Sequence, residues 1–414
     1  MNPKCRATRR RFLERAMASA LAGPWVVCAS ALGAGGKSAP SNRIALAAIG
    51  VGGRGSGVLR SMTRHAGVQA VAACDVQEGR LAPFKQAGLG VHRDFRELLA
   101  RGDLDAVVIA TPSQWKPLHT IAAARAGLDV FCEKPMSLTV RDGRAMVEAV
   151  RRYGRVFQHG TQQRSSWEFR FACEMVRSGR IGRLETVEVY VGGPPEECHL
   201  PAEPVPPGID WDMWLGPAPW RPFHSGICMH ECGGWERFRD YSGGGMTGWG
   251  SHHFDIAQWG LAADSTGPLE VVPPGGKDAP LLTFVYAGGV RVIHMNRMGE
   301  WAVVFIGSEG RVAVNRGTLR TWPESLMRTP TGPGEVRLYQ SPGHDADFLS
   351  AIRTRQRPVC DVEIGHRTMT VCHLGNIAFA LRRPLKWDPV GEEFLGDAEA
   401  NRLLDRGRRS PWRL

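Results

Sequence analysis

Between residues 44 and 160 short apolar runs alternate with segments of mixed polarity. Ile44–Ile49 is unbroken and apolar, as a strand buried on both faces should be. Val68–Cys74, Ala106–Ala110, Asp129–Cys132 and Arg155–His159 repeat the pattern. Helices fit between them, such as Ser56–Arg64 and Thr139–Tyr153, the latter opening on a Thr139/Asp142 pair similar to a capping box. Strand–helix alternation predicts a parallel sheet covered on both sides.

After residue 180 the rhythm changes. Leu184–Val191 predicts a strand. Leu281–Tyr286 and Val290–Met295 predict a hairpin across Ala287-Gly288-Gly289, and Trp301–Ile306 with Arg311–Asn315 predict another across Ser308-Glu309-Gly310. Helices return at Asp345–Arg355 and His366–Leu381. Residues 193–235, rich in Pro and Gly, read as one long loop, which is uncommon unless functional. The predicted class is α/β: an N-terminal Rossmann doubly wound parallel sheet plus a C-terminal α+β domain with an open antiparallel sheet. The division is 1–42 for an export signal and linker, 43–160 for the Rossmann domain and 161–414 for the second domain, whose last helices are free to pack back on the first.

The composition is that of an ordinary globular protein, with 43% hydrophobic and 22% charged residues in a chain of 414. The formal charge of +11 looks basic until it is located. Residues 1–42 hold seven basic groups and one acid, a net +6, which leaves +5 over the remaining 372 residues. No basic stripe follows, so nucleic acid is not an expected partner. Thr8-Arg9-Arg10-Arg11-Phe12-Leu13 precedes a moderately apolar run from Ala16 to about Ala34, with Ala29-Ser30-Ala31 as a cleavage site. This pattern resembles a twin-arginine signal peptide. It predicts export through the twin-arginine machinery to the periplasm or beyond, with no stable membrane anchor after cleavage. That route carries folded proteins, so the eight later cysteines (Cys74, Cys132, Cys173, Cys198, Cys228, Cys232, Cys360 and Cys372) are expected as buried thiols rather than disulfides.

Gly50-Val51-Gly52-Gly53-Arg54-Gly55 directly follows the first strand and opens a helix. Gly50 suits a tight turn, Gly52 a close approach of backbone to pyrophosphate, and Gly55 close packing of helix on strand. The helix N-terminus supplies N–H groups and partial positive charge. Asp75 closes the next strand 25 residues after Gly50, where an acid binds ribose hydroxyls and opposes a 2′-phosphate. NAD is therefore expected over NADP, although Arg54 is placed to attract that phosphate.

Further along stand Ala110-Thr111-Pro112 and Cys132-Glu133-Lys134-Pro135. With the glycine fingerprint these resemble the Gfo/Idh/MocA oxidoreductases, and the resemblance covers nearly all of the chain after the signal. Gly243-Gly244-Gly245 through His252 and Asp255 is similar to that family's glycine-rich catalytic helix start. Trp211-Asp212-Met213-Trp214-Leu215-Gly216-Pro217 and the closing Pro411-Trp412-Arg413-Leu414 resemble an exported branch of it. The resemblance implies that Thr111, Pro112, Glu133 and Lys134 line the cofactor. Lys134 is implied as a catalytic residue contacting the reacting hydroxyl, where an ammonium stabilises developing alkoxide charge. Pro135 is implied as a structural turn, often cis. His252 is implied as the base that takes the hydroxyl proton, since imidazole titrates near neutrality.

Asp255, on the same helical face as His252, either orients the imidazole or a substrate hydroxyl, or stabilises the helix. Gln163 and Arg164 follow the last Rossmann strand, where the family places substrate-facing polar groups; Arg164 either grips a carboxylate or sugar hydroxyls, or forms an interdomain salt bridge. Trp249 is a further substrate candidate, because an indole face packs on a sugar ring. Two departures from the family stand out: Gly248 occupies the place of a frequent aspartate, and Lys116 that of a frequent histidine. Lys116 either adds charge near the nicotinamide or is solvated.

His224, Cys228, His230 and Cys232 are metal-ligand types, but their spacing matches no standard zinc site, and no metal is expected. Six tryptophans fall within 49 residues (Trp211, Trp214, Trp220, Trp235, Trp249, Trp259), and most are expected in the core. The implied activity is NAD-dependent hydride transfer on a sugar or sugar-like polyol by an exported enzyme. Outside the cytoplasm no NAD pool exchanges with it, so the cofactor should be held tightly and recycled in place. Redox-neutral glycoside cleavage and a non-catalytic carbohydrate- or cofactor-binding role are the alternatives, and a homo-oligomer is expected from the family.

Overall fold

The computed structural model describes residues 42–228, 234–275 and 279–414. Residues 1–41, where the export signal is expected, and His230 and Cys232 lie outside the described residues. From Ile44 to Leu414 the chain is one compact unit built on two sheets.

The first half runs β1 (Ile44–Ile49), α1 (Gly53–Met62), β2 (Val68–Cys74), α2 (Glu78–Gln86), β3 (Gly90–His92), α3 (Phe95–Leu99), β4 (Ala106–Ile109), α4 (Lys116–Arg125), β5 (Asp129–Cys132), α5 (Val140–Arg152) and β6 (Phe157–His159). All six strands are parallel in the order β3-β2-β1-β4-β5-β6, the doubly wound arrangement whose order reverses between β1 and β4. The central strands are apolar because helices cover both faces: Leu46, Ala47, Val107, Val108, Val130 and Phe131 are fully buried. Thr139 caps α5, accepting the N–H of Asp142 at 3.1 Å, while the Asp142 carboxylate pairs with Arg408 instead of closing a capping box.

The second half runs α6 (Trp167–Arg177), β7 (Leu184–Val189), α7 (Trp211–Leu215), α8 (Ser225–Cys228), α9 (Gly244–Gly248), α10 (Gly250–Gly260), β8 (Glu270–Val272), β9 (Thr283–Val285), β10 (Arg291–His294), β11 (Val303–Gly307), β12 (Arg311–Asn315), β13 (Thr318–Trp322), α11 (Ser325–Arg328), α12 (His344–Thr354), α13 (Val362–Leu381), β14 (Leu385–Asp388), β15 (Glu393–Phe394) and α14 (Ala398–Arg402). Its nine strands follow the order β13-β12-β11-β7-β10-β9-β8-β14-β15. The expected hairpins β9–β10 and β11–β12 form, but the sheet is mixed rather than antiparallel throughout, because β10 pairs with β7 in parallel. Phe348 and Leu349 of α12 join the core beneath β1 and β5, so the later helices are part of the first sheet's packing.

The segment read as a loop, 193–235, has a small core of its own. Trp211 stacks on Trp214 at 4.8 Å, and Phe223, Ile227, Phe238 and Tyr241 close around them. Aromatic burial replaces the regular hydrogen bonding that the Pro- and Gly-rich sequence cannot supply. Among the described residues the seven cysteines are free thiols, and no helix is long and apolar enough to cross a membrane.

Candidate active site

The crevice at the carboxyl ends of β1 and β4 is shaped by glycine. Gly50 has φ +82°, and a Cβ there would lie 2.9 Å from the Ala110 carbonyl. A Cβ on Gly55 would come within 1.9 Å of the Gly50 oxygen, so only glycine lets α1 approach β1. No side chain caps α1 at Gly52, which leaves its first-turn N–H groups and positive dipole end to the crevice. Asp75 is buried, accepting from the N–H of Val51 (2.9 Å) and of Gln77 (2.9 Å), one on each oxygen. Burial pushes its carboxyl up, against the pull of Arg80 and these N–H groups. Beside it opens a shallow pocket lined by Gly50, Arg80, Phe95, Thr111, Pro112, Trp115 and Trp214, among others. An uncapped helix start, an acid at the end of β2 and a partly apolar pocket fit the pyrophosphate, ribose and adenine of a dinucleotide in turn.

Arg54 does not reach toward Asp75. Its guanidinium pairs with Glu133 across the switch point at 2.6 Å. Glu133, buried, also takes the N–H of Lys134 (3.1 Å) and the amide of Gln162 (3.3 Å). One carboxylate thus ties the glycine loop, the end of β5 and the turn after β6 together.

Lys134 follows β5, and its peptide to Pro135 is cis. The Nζ atom sits 3.3 Å from Glu236, which belongs to the short helical turn Gly234–Arg237 in the segment facing the crevice. Lys116 is neither solvated nor free to act on a ligand: it is fully buried, and its Nζ donates to the carbonyls of Lys134 and Pro135, both at 2.9 Å. Burial lowers its pKa to about 8.

His252 stands on α10 behind Trp249, with ring centroids 5.7 Å apart. It is buried, and its Nδ1 has no hydrogen-bond partner. Burial holds its pKa well below the usual imidazole range, and the charges of Lys134 and Arg316 push the same way. The imidazole is therefore held neutral at physiological pH, with its Nδ1 unpaired. His253 faces elsewhere, bonded through Nδ1 to the Tyr190 carbonyl at 2.7 Å. The Cβ direction of Gly248 meets no atom within 4 Å.

The structure joins two of the substrate candidates to each other. Arg164, fully buried, pairs with Asp255 at 2.8 Å and Asp264 at 2.7 Å. Asp255 also accepts from Thr368 at 2.9 Å. Their reach is spent on fixing α10 against α13 and the turn after β6. Gln163 is also buried, but both ends of its amide lack partners. The sequence reading missed His159, at the end of β6, which is completely buried with both ring nitrogens unpartnered. It also missed Glu236 and Arg316, because only the folded chain brings those segments to the crevice. His224 is engaged by Glu203 at 3.1 Å, and among the described residues no three metal-ligating side chains converge.

Residues 44–161 match the family described as "Oxidoreductase family, NAD-binding Rossmann fold", and residues 190–414 match "Oxidoreductase family, C-terminal alpha/beta domain", the two halves of the Gfo/Idh/MocA pattern. The chain belongs to the Gfo/Idh/MocA oxidoreductase family. Its N-terminal domain is the family's NAD-binding domain. Among curated relatives it is 30% identical over 141 residues to a 2,7-anhydro-N-acetylneuraminate hydratase of Mediterraneibacter gnavus, covering 34% of this chain and 37% of that protein. It is 34% identical over 154 residues to inositol 2-dehydrogenase 2 of Saccharopolyspora erythraea, covering 36% and 45%. The chain thus spans less than half the length of either relative. In fold it is similar to the WlbA dehydrogenase of Chromobacterium violaceum, solved with NADH and UDP-GlcNAcA, with a TM-score of 0.61 and 18% identity over 84% of this chain and 96% of that one.

Proposed function

We propose that this Gfo/Idh/MocA oxidoreductase transfers hydride between NAD and a sugar or sugar-like polyol, and that Lys134 and His252 do the acid–base work. The observation that carries this reading is a partly exposed ammonium whose charge reaches a neutral imidazole with an unpartnered Nδ1, at the edge of the nucleotide crevice. A bound nicotinamide supplies the hydride acceptor. Lys134 donates from Nζ to the oxygen of the reacting hydroxyl and stabilises its negative charge, while the His252 imidazole takes its proton. Lys116 holds the turn that aims Lys134, and the buried Gln163 and His159 offer unpaired polar groups for ring hydroxyls. Inositol dehydrogenase and anhydro-sugar hydratase relatives support a carbohydrate substrate.

The finer reading is an exported enzyme whose cofactor is retained and regenerated in place. Residues 8–13 support export, and the wall that 206–228 and 234–241 build over the crevice supports retention. Replacing both Arg10 and Arg11 by Lys should hold the protein in the cytoplasm when cells are fractionated. Pairing of subunits through the open face of the nine-stranded sheet is part of the same proposal.

The test is single turnover. Purified holo-protein, with no NAD added, is mixed with a panel of free sugars and polyols while the near-ultraviolet absorbance of reduced nicotinamide is followed. We expect reduction that stops at one equivalent and is slowed by about 10²–10⁴-fold in Lys134→Ala and in His252→Ala. Unchanged rates in both variants would remove these two residues from the chemistry, and no reduction by the wild type with any of the sugars would leave only a binding protein. Release of aglycone from glycosides without net reduction would favour redox-neutral cleavage.

A further inference from the structure

The cations around the crevice are nearly all committed. Arg54 is taken by Glu133, Lys134 by Glu236, Arg164 by Asp255 and Asp264, and Lys116 by two carbonyls. Arg316, in the turn between β12 and β13, is an exception close to His252. Among the described residues its guanidinium has neither an ion pair nor a hydrogen bond, and it lies over the ring of Trp249 at 5.0 Å from the centroid. Trp249 is 39% exposed and leads directly into His252, whose ring is 5.7 Å from its own.

Arg316 is held in this place without charge compensation. The only charge acting strongly on it is that of Arg54, and it is repulsive. Its own charge reaches both His252 and His253. Among the described residues no carboxylate pairs with it: that of Glu168, on α6, accepts the Gly317 N–H of the same turn at 2.9 Å. An arginine that serves only solubility gains nothing from standing beside a second cation at the mouth of a reaction cleft. Contact with the indole steadies the exposed guanidinium, whose N–H fork matches a carboxylate in geometry and charge.

We propose that the substrate of this cleft is an acidic sugar, a hexuronate or a similar sugar carboxylic acid, whose carboxylate pairs with the edge of Arg316 while its reacting hydroxyl lies between Lys134 and His252. This rests on the sugar-directed reading above and adds the charge the sugar must carry. Arg316 is then a specificity-determining residue, and Trp249 is its support rather than a bare platform for a neutral ring.

Binding decides the matter independently of turnover. NAD-loaded protein is titrated by calorimetry with D-glucuronate and D-galacturonate, and with D-glucose and D-galactose, at low and high salt. The wild type should bind a uronate about tenfold to a hundredfold more tightly than its neutral parent, with the margin shrinking as salt is raised. Arg316→Ala should abolish the margin, Arg316→Lys should keep part of it, and NAD should stay bound in both. Equal binding of the two series by the wild type would overturn the proposal, as would a margin that survives Arg316→Ala. Loss of NAD from Arg316→Ala would also overturn it, by assigning the arginine to the cofactor's phosphates. Neutral sugars that bind and reduce the nicotinamide as well as uronates would leave the hydride-transfer reading standing, whereas a failure of both series to bind would remove both.

Discussion

At the scale of single residues the site is defined as much by a missing carboxylate as by the groups present. The family resemblance expects an aspartate at Gly248, and the space for one is there, since a Cβ would meet nothing within 4 Å. Glu236 instead brings a carboxylate to Lys134 from across the crevice, at 3.3 Å. Both side chains are partly exposed, so the pair adds at most about 1 kcal/mol to folding, and its effect is on where Nζ points. Glu236→Gln should therefore lower kcat by about tenfold with a smaller change in KM, and adding Gly248→Asp to that variant should restore part of the loss. Steady-state kinetics on the sugar that reduces the bound nicotinamide would check this, and an unaltered kcat would show the ion pair to be idle. Lys116 gives a prediction in pH. Its folded pKa of about 8 lies below the ordinary lysine value of 10.5. Between those values the unfolded chain holds a proton that the folded one does not, so stability from this group rises with pH across the window. Relative to Lys116→Met, which cannot titrate, wild-type stability should improve by about 3 kcal/mol from pH 8 to 10.5, as measured by urea unfolding. The sequence left Lys116 as either a charge near the nicotinamide or a solvated side chain, and it is neither exposed nor free. Its burial depends on the Pro135 turn and on Trp235, 5.8 Å away and over a hundred positions along the chain.

At the scale of elements, legibility followed the strength of the local pattern. β1, β2 and β5 have the bounds their apolar runs predict, and the uncapped start of α1 follows from the glycines that precede it. β3, β8, β14 and β15 have four residues or fewer, too short for any alternation to emerge, and their pairing partners supply what the local sequence lacks. α10 shows the same division. Its glycine-rich approach and its histidine were legible, as were an ion-pair role for Arg164 and a helix-stabilising one for Asp255, but not that these two are partners, because they are 91 positions apart. Both are about 1% exposed, so neither charge can be left alone. Arg164→Leu should cost about 3–5 kcal/mol in chemical denaturation, chiefly because Asp255 is left buried without its partner. The double variant Arg164→Leu, Asp255→Leu should recover much of that loss, since a buried pair replaced whole by apolar side chains is close to neutral. A double variant as unstable as the sum of the single ones would mean that the pair is not coupled and that α10 is held by its packing alone.

At the scale of the whole molecule residues 206–228 and 234–241, with the last residues of the chain, close over the nucleotide crevice as one layer. Residues 208–210 bond to the β2–α2 connection, with Gly208 accepting from Glu78 at 2.9 Å and Asp210 donating to Val76 at 3.0 Å. Trp115 Nε1 donates to the Met213 carbonyl at 2.9 Å, and Arg80 reaches the Cys228 carbonyl at 3.2 Å. Behind this layer the C-terminal segment acts as a wedge. Arg409 holds Asp212 and the Gly216 carbonyl, and Trp412 packs against Trp115 at 4.6 Å and Phe95 at 6.3 Å, both of which line the nucleotide pocket. Trp412 is not itself a pocket residue, so its removal tests the closure without altering the surface a nucleotide would touch. One aromatic contact of this kind is worth roughly 0.5–1.5 kcal/mol beyond its buried area, enough to change an escape rate by about tenfold once that area is included. Trp412→Ala should therefore speed the release of bound NADH by about an order of magnitude, followed by its fluorescence after dilution into an NADH trap, while single-turnover reduction before release stays near the wild-type rate. If release is as slow as in the wild type, retention belongs to the glycine loop and Asp75 alone. If release is fast in both proteins, the cofactor exchanges freely, and an exported enzyme of this kind could not keep it long enough to recycle it.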